Sequence, residues 1–121
     1  MGLKATTYFR GDVIVFRCVG RLVAGEETTA FRQRAEKLLS AGRRVVINLT
    51  EVDHIDSTGL ADLVHFVTQK RDPKRGARLV SSTMYLKDLL RRTKLDTFFT
   101  VYASEEDAVA SFPERGSDDA A

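Results

Sequence analysis

The sequence predicts an α/β domain built on a mixed sheet, and two patterns carry that prediction. Through most of the chain, short apolar runs alternate with stretches whose apolar residues recur at three- and four-residue spacing. Strands alternating with helices imply parallel pairing through right-handed crossovers. At the N-terminus, two β-branched and aromatic runs flank Gly11-Asp12. They read as a hairpin, which adds antiparallel pairing. The chain has 121 residues, no internal repeat and no long linker. That length fits one domain, which buries roughly two-thirds of its unfolded surface.

The hairpin is expected over Thr6–Arg10 and Asp12–Val19, where Val13, Ile14, Val15 and Phe16 favour a pleated, half-buried surface. Gly20-Arg21-Leu22-Val23-Ala24-Gly25 reads as the turn that breaks the second strand. Glu26-Glu27-Thr28 then opens a helix, with acids where the dipole favours them. Phe31, Ala35, Leu38 and Leu39 lie on one helical face, and Ala41-Gly42 ends the helix. Residues 43–49 form a near-continuous apolar run, as expected for a strand covered on both faces.

Leu60, Leu63, Val64 and Val67 make the next helical stripe, closed by Asp72-Pro73. Residues 77–81 read as a short strand and Met84 to Arg92 as a helix with Leu86, Leu89 and Leu90 inward. Residues 98–102 read as a last strand, which would send Phe98 and Phe99 to opposite faces. Ser104 caps a fourth helix, with Asp107 at its N3 position and Ala108, Val109 and Phe112 inward. The domain is thus expected over residues 1–112, with 113–121 a Gly-, Ser-, Asp- and Ala-rich disordered tail.

The balance of charge excludes some partners. Nineteen basic and 17 acidic residues, spread along the chain, give a net charge of +2. Such a balance implies neither nucleic acid nor an anionic membrane surface. Asp72 and Pro73 interrupt the one basic cluster, Lys70 to Arg75, which reads as a solvated loop. Cys18 is the single cysteine, so no internal disulfide can form and a reducing, cytoplasmic location is expected. No stretch is long and apolar enough for a membrane span or a signal peptide.

The chemistry concentrates at Asp56-Ser57-Thr58-Gly59, where a strand feeds a helix. Backbone N–H groups are unpaired there and anions are favoured. Asp, Ser and Thr are the usual capping residues, so each could simply satisfy an orphan N–H. The functional reading is a phosphoacceptor serine. A phosphate adds nearly two negative charges and three acceptor oxygens. A helix N-terminus with free N–H groups tolerates that charge, while a docking partner meets new bulk and repulsion. Gly59 would keep the helix start open to close approach. Catalysis by Ser57 is disfavoured, since the nucleophile elbow needs glycine where Ile55 stands, and His54 has no orienting third group. His54 and His65 lack metal-ligand spacing, and no phosphate-binding glycine motif is present, so neither a metal nor another cofactor is expected.

Taken in order, several pieces resemble the STAS domain of bacterial anti-sigma factor antagonists. They are Val19-Gly20-Arg21-Leu22, then Val46-Ile47-Asn48-Leu49-Thr50-Glu51-Val52, then Ile55-Asp56-Ser57-Thr58-Gly59-Leu60. Further along come Gly76-Ala77-Arg78-Leu79-Val80, Leu89 to Asp96, and Phe98 to Tyr102 with Glu105-Glu106-Asp107-Ala108. The resemblance implies a four- to five-stranded mixed sheet with about four helices, mainly on one face. It implies a non-catalytic module that, unphosphorylated, binds an anti-sigma serine kinase and frees a sigma factor. Phosphorylation would block binding, and a PP2C-type phosphatase would reset the cycle. Carried to this chain, the acceptor is Ser57, supported by Asp56, Thr58 and Gly59. The docking face is Arg21, Val23, Ala24, Gly25, His54, Asp56, Ser57, Thr58 and Leu60. Two positions depart from the pattern: Val23 stands where the family often has Asp, and Asn48 where many members have Asp. Other uses of the same fold are a scaffold or adaptor without a phosphate cycle, in stress signalling or a lipid-transport complex. A nucleotide sensor using the Gly20–Gly25 loop and the Ser57 helix terminus is a third.

Overall fold

The structure is a computed structural model describing residues 2–68 and 75–113. Its elements run β1 (Leu3–Arg10), β2 (Val13–Leu22), α1 (Glu26–Ser40), β3 (Arg44–Ile55), α2 (Ser57–Thr68), β4 (Gly76–Val80), α3 (Met84–Arg92), β5 (Val101–Tyr102) and α4 (Glu105–Ala110). The sheet is five-stranded and mixed, in the order β1-β2-β3-β4-β5. β1 pairs with β2 antiparallel, and the other pairings are parallel.

Strand alternation divides the core between the two faces of the sheet. Ile14, Phe16 and Cys18 of β2 and Val45, Ile47 and Leu49 of β3 face α1, α2 and α3. Val13, Val15, Val46 and Val80 face the opposite way, against Ala108 and Phe112 of the C-terminal segment. The seam between α1, α2 and the sheet is filled by Phe16, Phe31 and Phe66. Their rings meet edge to face at centroid distances of 5.3 and 5.8 Å, an arrangement that aligns ring edges with ring faces. Arg32 of α1 joins the seam, 3.5 Å from the carboxylate of Asp62 and 3.7 Å from that of Glu36. Burial raises the Asp62 carboxyl above its ordinary range, opposed by Arg32.

α4 is held to the sheet by Glu105, which accepts from the Tyr8 hydroxyl, from Arg10 at 3.1 Å and from Asn48 Nδ2 at 2.8 Å. Burial pushes the Glu105 carboxyl up, but these three donors outweigh it and hold it below its usual range. Asn48 also accepts from its own Thr50 N–H at 3.0 Å. An aspartate at 48 would set a second carboxylate against Glu105, so the asparagine matches its surroundings.

Several boundaries differ from the expectation. β2 does not break at Gly20 but continues to Leu22, and β3 does not stop at Leu49 but continues to Ile55. Register shifts at Arg17/Val19 and Gly20/Arg21 absorb the irregularity. Gly20, at φ 109°, supplies a left-handed conformation at the second shift. The expected strand over residues 98–102 shrinks to Val101–Tyr102. Phe98 and Phe99 lie in the turn before it, Phe98 68% exposed and Phe99 buried. The N-cap of α4 is as expected, with Ser104 accepting from the Asp107 N–H. The Asp72-Pro73 helix end, most of the Lys70 to Arg75 loop and the tail after Pro113 lie outside the described residues.

Candidate functional site

All the residues singled out for docking and switching converge at the carboxyl ends of β2 and β3. Parallel pairing puts Arg21 beside His54 and Leu22 beside Ile55. The two chains then diverge, β2 into Val23-Ala24-Gly25 and β3 into Asp56 and α2. Arg21, Ala24, Gly25, His54, Ser57 and Thr58 are exposed, while Val23, Asp56 and Leu60 are half-buried. Leu60 packs partly against the core, so it contributes to both the core and the surface.

Asp56 joins the two diverging segments. Its Oδ1 accepts from Gly59 N–H at 2.9 Å, and its Oδ2 accepts from Ala24 N–H at 2.9 Å. Its own N–H donates to the Leu22 carbonyl at 3.3 Å, and its carbonyl accepts from Leu60 N–H at 2.9 Å. The carboxylate therefore caps α2 and ties down the β2–α1 turn at once. The N–H groups of Gly59 and Ala24, in that order, hold the Asp56 carboxyl below the ordinary carboxylate range.

This geometry assigns the cap within the four-residue motif. Asp56 is the cap, and Ser57 is the first residue of α2, exposed and without a hydrogen bond from its hydroxyl among the described residues. Of the N–H groups at the helix terminus, that of Gly59 is taken by Asp56. Gly59 lies in the first turn of α2. It is buried, and a Cβ there would collide with the Leu22 carbonyl oxygen and come within 2.8 Å of Leu22 Cγ. The close approach it permits is that of α2 to β2 within this chain.

Tyr85 is a supporting residue that sequence reasoning did not single out. Its hydroxyl accepts from Ile55 N–H at 2.8 Å and so fixes the residue just before Asp56. A lone tyrosine in an amphipathic helix carries no signal of that contact. His54 and His65 lie on separate elements, both exposed, with His65 Nε2 2.9 Å from Glu36. Among the described residues, no group of three or more His, Cys, Asp or Glu side chains is placed to hold a metal ion. No helix among them is long and apolar enough to cross a membrane.

Comparison with known proteins places this architecture. No curated protein matches in sequence. The fold is similar to the crystal structure of an anti-sigma factor antagonist from Mycobacterium paratuberculosis, at TM-score 0.76 and 21% identity over 93% of this chain and 96% of that one. It is similar to the anti-sigma factor antagonist SpoIIAA in its unphosphorylated form, at TM-score 0.66 and 17% identity over 88% and 93%. The Bacillus cell fate determinant SpoIIAA in the phosphorylated form aligns at TM-score 0.62 and 15% identity over 88% and 97%. At these identities the likeness is one of fold. The model of the STAS domain matches residues 4–108, which takes in all but the first residue of the sheet, the Asp56–Gly59 corner and most of α4: this chain belongs to the STAS-domain family.

Proposed function

We propose that the chain is an anti-sigma factor antagonist, a binding module switched by phosphorylation of Ser57. Unphosphorylated, it docks an anti-sigma serine kinase through the end of the sheet that carries Arg21, Val23 to Gly25, His54 and Asp56 to Leu60, and a sigma factor is released. The kinase phosphorylates Ser57, and a PP2C-type phosphatase removes the phosphate. The chain is a substrate in this cycle and catalyses nothing.

One observation carries the reading: Asp56 does the capping, which leaves the Ser57 hydroxyl exposed at the centre of the docking surface. A phosphate there finds the Gly59 N–H occupied and a carboxylate beside it. It stays outward, where its charge and bulk meet the partner, while the fold beneath is untouched. Two fold neighbours, SpoIIAA in its unphosphorylated and phosphorylated forms, agree with such a cycle. Asp56 also weakens the nucleotide-sensor alternative. Its carboxylate takes two of the N–H groups a nucleotide phosphate would require at this corner.

The test is incubation with ATP and the serine-kinase anti-sigma factor of the same genome, read by intact mass and site mapping. A gain of one phosphate, lost in Ser57→Ala, supports the switch. Unmodified protein that still binds its partner moves the chain to the scaffold class.

A further inference from the structure

β3 outruns its neighbour. Its register with β4 ends at the pair Asn48 and Val80, whereas β3 itself continues to Ile55. Residues 49–55 therefore pair with β2 on one side and, among the described residues, with no strand on the other. Two contacts mark the ends of this open edge. Ser82 N–H donates to Thr50 Oγ1 at 3.1 Å, and Ile55 N–H donates to the Tyr85 hydroxyl at 2.8 Å. Between them lies a groove of about 370 Å³ lined by Thr50, Glu51, Val52, Asp53, Thr83 and Tyr85.

We propose that this groove docks a short, extended, basic segment of another protein by strand addition to residues 51–53. A strand edge with unpaired backbone groups is a template for one more strand. Three residues of extended chain span roughly 10 Å, a length that fits between the two end contacts. The sign of the partner follows from the lining. It carries two carboxylates and no basic side chain. Glu51 shares an ion pair with Arg17, while Asp53 is exposed and has no ion-pair partner among the described residues. The inference rests on strand geometry and does not require phosphorylation of Ser57.

The test uses a blocked hexapeptide of alternating lysine and valine as the probe, titrated into the ¹⁵N-labelled chain and followed by amide chemical shifts. Shifts concentrated at Glu51–Asp53 and Thr83–Tyr85 are expected, with slower hydrogen exchange of the 51–53 amides. N-methylation of alternate peptide bonds in the probe should weaken binding about tenfold, because it removes ladder donors. Asp53→Lys should weaken it about threefold or more at low salt while leaving thermal stability unchanged. Four results with the probes would overturn the proposal. They are no binding, equal binding of the N-methylated probe, shifts centred instead on Glu26 and Glu27, or binding of an alternating glutamate–valine peptide. Concentration-dependent shifts of the same residues without peptide, with a doubled mass in light scattering, would give the groove to a second copy of this chain and likewise reject it.

Discussion

Asp56 Oδ2 lies 2.9 Å from the backbone nitrogen of Ala24, 32 positions away in the sequence. One carboxylate thus fastens the β2–α1 turn to the start of α2. The two halves of the proposed docking surface are held in register by a side chain that is also the helix cap. Removing it should be felt in both places. Asp56→Ala should cost about 1–2 kcal/mol by urea unfolding, and Asp56→Asn clearly less, since an amide oxygen still accepts. The sign with pH is fixed by the lowered folded-state pKa. The stabilisation is fully present above the unfolded value of about 4 and is lost as pH falls through the lower folded value. The penalty of Asp56→Asn should therefore be flat from about pH 5 to 8 and shrink in stronger acid.

Asn48→Asp should destabilise the fold at neutral pH. It removes the donor to Glu105 and adds a like charge to a half-buried cluster. A loss of about 1–3 kcal/mol is expected at pH 7, smaller near pH 4 where one carboxyl takes up a proton. Equal stability of the variant at pH 7 would show that the Glu105 contacts do not anchor α4.

Gly59→Ala sets two effects against each other. Alanine favours a helix over glycine by about 1 kcal/mol. Against that stands a collision of the new Cβ with the Leu22 carbonyl, a backbone atom that cannot swing aside. Crowding of this kind costs about 1–3 kcal/mol, so net destabilisation is expected in a thermal melt, with shifted amide resonances at Leu22 to Ala24.

Cys18 is fully buried in β2, and burial pushes its thiol up to about 12. The thiolate is the reactive form. A thiol reagent at pH 8 should leave the native chain unlabelled and modify it stoichiometrically in urea.

Much of this was legible in the sequence, and the exceptions have physical causes. Helical periodicity located all three of the longer helices, and α3 falls at Met84–Arg92 as expected because its leucines lie on one face. The apolar run reads as ending at Leu49, because the acids Glu51 and Asp53 interrupt the continuous apolar pattern beyond it. The stretch Thr50 to Asp53 is strand because β2 pairs with it, a contact between distant segments. The register shifts broke the alternation that would have revealed the end of β2. At the corner, the motif itself was visible, but three adjacent capping residues look equivalent in one dimension. Only the folded geometry, with Gly59 N–H on Asp56 Oδ1, shows that Asp56 is the cap and that Ser57 is left over. Phe98 and Phe99 read as strand from propensity, yet Phe98 N–H closes a turn onto the Leu95 carbonyl at 3.0 Å.

The central claim is that Ser57 controls docking without reshaping the domain. The most direct measurement is the affinity of the anti-sigma serine kinase for the unmodified chain, for the Ser57-phosphorylated chain and for Ser57→Asp, with amide spectra of each free form. The account predicts that phosphorylation weakens binding about a hundredfold or more, and Ser57→Asp in the same direction. Spectral changes should stay confined to the Ala24 and Ser57 corner. Equal affinity of all three forms would contradict it.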